Sequence, residues 1–447
     1  MKKNDILEVE ILSQGCEGEG IAKPDGFPLF IPGALRGERC KIQIVKLAKS
    51  HGFGKLLQVL TPSDERCEPL CPVYKTCGGC NLQHMTRNAQ LSWKRDRVAE
   101  AFRHIGGIEI DVCETETDGI DFGYRNKIQI PVAMTETGVC AGFFAPRSHR
   151  MVPAENCLLQ TPRTARLIAA VLSWMQENGV SAYDETTHTG LVRHIYVREG
   201  DGENVMVSLV VRTAKLPAKE ALIDRMRQEG VTTLLQNINP DKTNVTLGAK
   251  TKILYGTGAV PKTLGDITFS VSHHSFFQVN APMAARLFEK GLALLGDISG
   301  KTVFDLYSGL GSISLFLAKR AKKVIGVEIV PEAVRDAAEN ARKNGFDNAF
   351  FYAGDAFEIT KSLLEKGEKA DVAVVDPPRK GCSEELLNLL LFMRPEKILY
   401  VSCNPATLAR DVKFLFANGY HADTVYPFDL FPNTCHVESV VLLQRDN

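Results

Sequence analysis

The stretch DLYSGLGS, residues 305–312, joins an apolar run to the helical pattern ISLFLAKRA of residues 313–321. Its two glycines, Gly309 and Gly311, fall at the turn between strand and helix, where the missing Cβ atoms let a ligand approach the backbone closely. A dinucleotide-binding turn has a third glycine three residues after the second, and Ser314 stands in that place. The stretch therefore predicts a cofactor site at a strand-to-helix turn, but one that is not typical of a pyrophosphate cradle.

Acidic residues follow the next two predicted strands. Glu328 ends the run at 323–329, nineteen residues after Gly309, and a carboxylate there can accept both ribose hydroxyls of an adenosine. Asp355 follows the run at 348–353, where it is placed to hold the adenine or its ribose. Acids in these places, with a glycine pair but no third glycine, match the S-adenosylmethionine site of Rossmann-like methyltransferases better than a dinucleotide site.

The C-terminal part of the chain, from about residue 266 to the end, alternates apolar runs with helical stretches. This order predicts buried parallel strands linked by helices, hence an α/β doubly wound sheet of the Rossmann-like class I methyltransferase type. The last run, residues 437–444, predicts a final antiparallel strand with a hairpin partner before it. Such sheets bind ligands at the carboxyl ends of their strands, so side chains there are candidate site residues.

Three domains are predicted in all. Short strands between Gly- and Pro-containing turns predict a small OB-like β-barrel over residues 1–62, and mixed patterns predict a central α+β domain over 63–265, followed by the methyltransferase domain at 266–447. A helix over 88–106 is expected to pack on the C-terminal domain. Its apolar side is formed by Leu91, Val98, Phe102 and Ile105. Its basic face, predicted to be solvated, carries Lys94, Arg95, Arg97 and Arg103.

The composition of the chain says more about the cellular compartment of the protein than about its binding partner. The 447 residues include 53 basic and 53 acidic side chains, so any RNA-binding charge has to be local. The N-terminus lacks a long apolar run and no stretch is apolar enough to span a bilayer, which predicts a cytoplasmic chain without membrane association. In that compartment the 12 cysteines are not expected to form disulfides, and clustered cysteines are expected to bind metal or do chemistry.

Candidate catalytic groups lie near the end of the predicted sheet. Residues 376–379, Asp-Pro-Pro-Arg, end the fourth strand, and amine-methylating enzymes have an aromatic residue where the arginine stands. The fifth strand ends at Cys403, whose neighbours suit a tight turn that exposes a side chain. Cys435 is the competing nucleophile. A base is needed nearby, and Glu438 on the final strand is preferred over His436.

A cysteine in this place suits methylation of carbon 5 of a pyrimidine, which is a poor nucleophile. A thiolate that adds to carbon 6 converts the ring to an enolate, and carbon 5 can then attack a methyl group. A base next removes the carbon 5 proton so that the thiolate can leave. The pattern therefore predicts covalent catalysis followed by general-base catalysis, with amine methylation as an alternative that needs no thiol.

Four separated motifs together resemble the bacterial RNA uracil-C5 methyltransferases that make 5-methyluridine: DLYSGLGSISL, DPPRKG, YVSCNPATLARD and PNTCHVESV. The resemblance extends over the whole chain and implies that the N-terminal barrel is an RNA-binding TRAM module. It implies Cys403 as the nucleophile and Glu438 as the base. It also implies S-adenosylmethionine contacts by Gln278, Tyr307, Ser312, Glu328, Asp355 and Asp376. Ser312 departs from the family pattern, in which asparagine is frequent.

The stretch CPVYKTCGGC, residues 71–80, contains one Cys-x-x-Cys knuckle, whereas a zinc ribbon has two. A four-ligand site then needs a distant cysteine, which is supplied by Cys157 or, as the alternative, Cys140. The spacing resembles the family's 4Fe-4S site, and thiolate-only ligation suits such a cluster, with zinc as the alternative metal. The ligands so implied are Cys71, Cys77, Cys80 and Cys157, with Cys67 as a spectator.

The resemblance also implies a substrate. Members with both a TRAM module and a cysteine cluster usually act on 23S ribosomal RNA, either free or in a pre-ribosomal particle, and we expect a monomer. The alternatives are a transfer RNA uridine methyltransferase and an RNA-binding ribosome assembly factor. An extruded base needs aromatic and cationic side chains around it. Candidates are Tyr124, Arg125, Asn126 and Lys127 in one group, and Phe143, Phe144, Arg147, His149 and Arg150 in another.

Overall fold

The computed structural model describes residues 1–136, 138–146 and 148–446, so Arg147, one of the candidate RNA contacts, lies outside the described residues. Within these ranges no helix is both long and apolar enough to cross a membrane. The strands among the described residues form four sheets, of six, seven, two and nine strands.

The N-terminal sheet curls around its own apolar core. Its strands are β1 (Ile6–Glu10), β2 (Ser13–Gln14), β3 (Gly20–Ala22), β4 (Leu29–Ile31), β5 (Arg39–Leu47) and β6 (Gly52–Thr61), in the order β1-β5-β6-β4-β3-β2. Alternation along β5 buries Cys40, Ile42 and Ile44 completely, as a period of two residues predicts for a sheet with one covered face.

The middle of the chain forms a seven-stranded sheet. Its elements and those just before it are α1 (Arg87–Ala101), β7 (Asp111–Val112), β8 (Lys127–Thr135), β9 (Gly138–Phe144), β10 (Met151–Pro153), α2 (Pro162–Glu177), β11 (Val192–Glu199), β12 (Val205–Val211), α3 (Lys219–Gln228), β13 (Thr233–Ile238) and β14 (Lys250–Tyr255). The strand order is β10-β9-β8-β11-β12-β13-β14. The short hairpin of β15 (Ala259–Leu264) and β16 (Ile267–Ser272) follows, and its turn coincides with the proposed start of the third domain.

The C-terminal sheet confirms the predicted doubly wound topology. Its elements are α4 (Ala281–Leu295), β17 (Thr302–Leu306), α5 (Ser312–Ala318), β18 (Lys323–Glu328), α6 (Pro331–Lys343), β19 (Ala349–Ala353), α7 (Ala356–Glu365), β20 (Val372–Val375), α8 (Glu384–Met393), β21 (Lys397–Ser402), α9 (Pro405–Phe416), β22 (Tyr420–His421), β23 (Thr424–Phe428) and β24 (Glu438–Arg445). The order is β19-β18-β17-β20-β21-β24-β23-β7, and β22 pairs with β24. The first five strands are parallel, and β24 is antiparallel to both β21 and β23, as predicted for the final hairpin.

Helix α1 shows where the predicted apolar and basic faces were wrong. It packs on α9, β7 and β23, and it continues as a π-helical turn, Phe102–Gly106. Lys94, predicted on the solvated face, is fully buried, and its Nζ lies 2.5 Å from Asp429 Oδ1. Ile105, predicted on the buried face, is 46% exposed. A π-helical turn contains an extra residue, so it rotates the positions after it, and a buried ammonium is tolerated where a carboxylate compensates it.

Candidate active site

The crevice at the carboxyl ends of the parallel strands opens where the winding reverses. Strand β17 lies between β18 and β20, which is the switch point at which such sheets bind ligands. The turn after β17 has positive φ at Tyr307 (91°), Gly309 (56°) and Gly311 (88°). A Cβ on Gly311 would lie 3.2 Å from the ring of Phe351, a tight contact that adds to the preference for glycine at this positive φ. Tyr307 is not a glycine, and few such residues adopt a backbone conformation with this φ; such residues are frequent at functional sites.

Glu328 is held at this crevice by two backbone groups. Gly309 N donates to Glu328 Oε2 at 3.0 Å, and Val330 N donates to Oε1 at 2.9 Å. Each carboxylate oxygen has a second lone pair available. The residue predicted to accept two ribose hydroxyls is therefore fixed in position and retains the chemistry that an adenosine requires.

Two further acids lie close together, Asp305 within β17 and Asp376 directly after β20. Asp305 is fully buried and accepts a hydrogen bond from Ser314 Oγ at 2.5 Å, and burial raises the pKa of Asp305 to about 7. Burial, with a contribution from the charge of Asp305, also raises the pKa of Asp376 to about 7. Asp305 was missed as a candidate because it lies inside an apolar strand, and Ser314, noted only as a missing glycine, proves to be its partner.

The remaining predicted cofactor contacts come from three different elements. Gln278 follows β16, and its backbone carbonyl oxygen accepts a hydrogen bond from Asn126 Nδ2 at 3.0 Å. Asp355 is exposed and caps α7, since its Oδ1 accepts from Phe357 N at 2.9 Å. Ser312 is the first residue of α5 and is partly exposed. Asp355 thus has a structural role as well as its predicted cofactor role.

Cys403 and Glu438 are brought together by strand pairing. Ser402 of β21 pairs with Ser439 of β24 in the antiparallel ladder. Cys403 directly follows Ser402 and Glu438 directly precedes Ser439, so the two residues oppose each other one position beyond this pair. Cys403 is partly exposed, whereas Glu438 is only 6% exposed. The pair therefore has a thiol at the surface of the crevice with a carboxyl behind it.

The two groups share one electrostatic environment with Asp376 and Arg379. Burial raises the pKa of Glu438 to about 8; the charge of Asp376 adds to the rise and that of Arg379 opposes it. Burial raises the pKa of the Cys403 thiol to about 11, with Glu438 and Asp376 adding and Arg379 opposing. Near neutral pH the free protein therefore holds a neutral thiol beside a mostly protonated carboxyl, and Arg379 is the cation that favours ionisation of both.

The two weaker candidates have different surroundings. His436 Nε2 lies 3.4 Å from Arg379 Nη2, and burial together with the charge of Arg379 lowers the pKa of His436 to about 4. A neutral imidazole of such low basicity is a weaker proton acceptor than Glu438. Cys435 packs against a buried apolar cluster that includes Leu35 and Trp93. Both observations favour the preferred assignment of base and nucleophile.

The four candidate cluster ligands line one cavity of about 540 Å³. These are Cys71, Cys77, Cys80 and Cys157. Burial raises the pKa of Cys80 to about 12, and the charges of the other three thiols add to the rise. Cys67, the predicted spectator, instead donates to Gln83 O at 3.4 Å. The donor set is thus four thiols around one space, and their mutual repulsion when ionised would be relieved by a cationic group.

The iron–sulfur prediction is not shown by this arrangement. Among the residues that the structure describes, no three His, Cys, Asp or Glu side chains are grouped to hold a metal ion. In a 4Fe-4S cluster each cysteine binds a different iron, so its ligands surround a volume rather than converge on one point. The chemistry of the four thiols fits such a cluster, while a converged site for one zinc ion is not formed.

In the first group of candidate RNA contacts, Tyr124 and Asn126 are buried, whereas Arg125 and Lys127 are partly exposed. Tyr124 is buried, and its hydroxyl donates to Pro432 O at 3.2 Å. Lys127 Nζ lies 6.0 Å from the ring of Phe276, and burial, with the charges of Arg198 and Arg125, lowers the pKa of Lys127 to about 8. Phe276 is 65% exposed and was missed; its signal is the aromatic pair in HHSFFQVN.

The second group of candidate RNA contacts begins at the cysteine cavity. Phe143 lines that cavity, and the rings of Phe144 and His149 meet edge to face at 5.9 Å. His149 Nδ1 lies 3.3 Å from Glu185 Oε2. Arg150 is exposed and its amide donates to Ser148 Oγ at 2.9 Å. These residues form a mixed surface rather than a single cationic platform.

Comparisons with known proteins cover both ends of the chain. A family model described as tRNA (Uracil-5-)-methyltransferase matches residues 222–446, and a TRAM domain model matches residues 2–57. The chain is 45% identical to an uncharacterized RNA methyltransferase of Halalkalibacterium halodurans over 100% of the chain and 98% of that protein. It is 44% identical to an uncharacterized RNA methyltransferase of Clostridium tetani over 99% of the chain and 97% of that protein.

A solved structure shares the whole architecture. It is the Pyrococcus abyssi tRNA (uracil-54, C5)-methyltransferase in complex with S-adenosyl-L-homocysteine, with a TM-score of 0.79 and 27% sequence identity. The match covers 98% of this chain and 99% of that one. The fold likeness therefore includes the N-terminal sheet and the middle of the chain, beyond the C-terminal sheet alone.

Proposed function

The chain belongs to the RNA uracil-5-methyltransferase family, with a class I methyltransferase fold and an N-terminal TRAM domain, and from that premise we propose that it methylates carbon 5 of a uridine in 23S ribosomal RNA. The observation that carries the proposal is the opposition of Cys403 and Glu438 across β21 and β24. An enzyme that methylates an exocyclic amine has no use for a nucleophile and a base in these places.

In the proposed reaction Cys403 and Glu438 act in turn. The Cys403 thiolate forms a bond from Sγ to carbon 6 of the uracil, which moves electron density to carbon 5. Carbon 5 then bonds the methyl group, which S-adenosylmethionine held in the crevice would supply as its S–CH3 bond breaks. Glu438 in its carboxylate form then accepts the carbon 5 proton, and the bond from Sγ to carbon 6 breaks to restore the ring and the thiolate. Arg379 favours both ionised groups, because its charge lowers the pKa of Cys403 and of Glu438.

S-adenosylmethionine would lie in the crevice at the β17–β20 switch point and supplies the methyl group. Glu328 is proposed to accept from the ribose, since its two oxygens are already oriented by Gly309 N and Val330 N. Tyr307 is proposed to line the same space, because it lies in the same turn after β17 as Gly309 and has a positive φ. Further contacts are proposed for Gln278, Ser312, Asp355 and Asp376.

The choice of 23S ribosomal RNA is supported by the presence of a TRAM domain together with a four-cysteine cavity in one chain. The second candidate is a transfer RNA, which is favoured by the likeness to the P. abyssi enzyme. In a deletion strain we expect 5-methyluridine to disappear from one or two positions of 23S ribosomal RNA, mapped by mass spectrometry of RNase fragments. Loss from transfer RNA instead would establish the second candidate, and no loss from either RNA would contradict both.

We further propose that the cysteine cavity holds a 4Fe-4S cluster with a structural role, since methyl transfer involves no net electron transfer. Protein purified without oxygen is expected to contain about four iron and four sulfide per chain. Cys80→Ser should lose most of this iron, because it removes one of the four thiols that line the cavity. Cys67→Ser is the matched control and should retain it. Zinc in place of iron and sulfide would overturn the assignment.

A further inference from the structure

The loop between β23 and β24 immediately precedes the proposed base, Glu438. It spans residues 429–437, and Glu438 follows it directly. On one side the loop is held by helix α1: Lys94 Nζ donates to Phe431 O at 3.1 Å, and an Arg97 guanidinium N–H donates to Cys435 O. Glu438 is held on its strand side by pairing with Phe428 of β23 and is joined on its N-terminal side to this loop, so the contacts of the loop help to set the position of the base.

The second side of the loop is held by the cysteine-rich segment. Cys435 N donates to Asn81 Oδ1 at 2.8 Å, and the backbone amides of Asn81 and Leu82 both donate to Asn433 O, at 3.2 and 3.1 Å. Asn81 Nδ2 also donates to Glu17 O, in the turn between β2 and β3 of the N-terminal barrel, at 2.9 Å. One side chain thus joins the barrel, the Cys77–Cys80 knuckle and the loop before Glu438.

We propose that Asn81 is a positioning residue for proton removal from carbon 5, acting on Glu438 through the loop at 429–437. The inference rests on the proposed function and adds a residue that does not touch substrate or cofactor. Its bond to Cys435 N lies three residues before Glu438. Since catalytic groups lose efficiency when displaced by about 1 Å, loss of this bond slows the base more than the nucleophile.

The two half-reactions separate this role from a general structural one. Cys403 directly follows β21, which is not joined to this loop, so formation of the thiol adduct should survive in Asn81→Ala. Resolution of the methylated adduct needs Glu438 and should slow by about 10- to 100-fold. With RNA that the wild-type enzyme methylates and with methyl-labelled cofactor, Asn81→Ala should accumulate a denaturant-stable, methyl-labelled protein–RNA adduct that the wild type does not accumulate.

The trapping rate with 5-fluorouridine RNA is measured alongside and should stay within about twofold of wild type. Asn81→Asp keeps an oxygen acceptor for Cys435 N and should lower the accumulated adduct, and Asn81→Ser is the substitute if the alanine variant does not fold. Asn388→Ala is the control, because it removes a comparable amide-to-carbonyl bond, Asn388 Nδ2 to Glu384 O at 2.9 Å, on helix α8. Equal slowing of trapping and resolution, or no more adduct than in the control, would overturn the proposal. Wild-type enzyme that neither methylates nor traps RNA would instead overturn the proposed function.

Discussion

Replacement of Cys403 by alanine is expected to abolish uridine methylation, with a loss of at least about 10⁴-fold in kcat, as is typical when a covalent nucleophile is removed. The reason is chemical: without a thiolate bonded to carbon 6, carbon 5 of uracil does not become nucleophilic. The measurement is transfer of labelled methyl to RNA, together with capture of a stable adduct by 5-fluorouridine RNA. Wild type should form the adduct and the variant should not, because the fluorine at carbon 5 prevents the elimination step.

Cys435→Ala is the matched control for this experiment, since Cys435 is the other cysteine near the end of the sheet. Its side chain packs in an apolar cluster, so the variant should keep its catalytic rate and lose only some stability. Cofactor binding by Cys403→Ala, measured by calorimetry, should match wild type and would show that the crevice is intact. An adduct formed by Cys403→Ala but not by Cys435→Ala would transfer the nucleophile to position 435.

The parts of this protein that were predictable from sequence are those with local signals. Apolar runs fixed the strands of the C-terminal sheet, and strand ends at Cys403 and Glu438 follow from those runs. The burial of Lys94 could not be predicted, because its partner Asp429 lies more than three hundred residues away and a lysine on a helix is solvated by default. Strand β7 was missed for the same reason: two residues give no periodicity, and only pairing with β23 defines the strand.

In the candidate site, too, some residues were predictable from local sequence and others depended on the folded structure. Carboxylates after strands were predictable because the topology of a doubly wound sheet fixes where they lie. Asp305, by contrast, is a strand residue whose importance depends on burial and on its bond to Ser314. Phe276 needed the structure as well, because the exposure of an aromatic ring is a property of the folded chain. The thiols of the knuckle were recognised from their spacing. Their link through Asn81 to the loop at 429–437 has no sequence signature.

Glu438→Gln is expected to separate methyl transfer from product release. Glutamine is nearly isosteric but cannot accept the carbon 5 proton, so the variant should add its thiolate, take up the methyl group and then stop. With ordinary uridine RNA it should accumulate a methyl-labelled covalent adduct, while multiple-turnover kcat falls by about 10²- to 10⁴-fold. His436→Gln is the control, since a neutral imidazole with a pKa of about 4 is not the expected base, and it should accumulate no such adduct. Full turnover by Glu438→Gln would require another base.

The same variant tests the electrostatics of the site through stability. The pKa of Glu438 is raised by burial from 4.5 to about 8 in the folded protein, so the folded state binds this proton more tightly than the unfolded state. The carboxyl then contributes stability that is fully present below about pH 4.5 and is lost as pH rises towards 8. Glutamine cannot ionise, so Glu438→Gln should raise Tm by a few degrees at pH 8.5 and by less at pH 5.5. Wild-type turnover should rise with pH over the same interval, because only the ionised carboxylate accepts the proton. A variant that is less stable than wild type at pH 8.5 would mean that the carboxylate is stabilised in the fold, and the assignment of a proton-accepting group with a raised pKa would then be wrong.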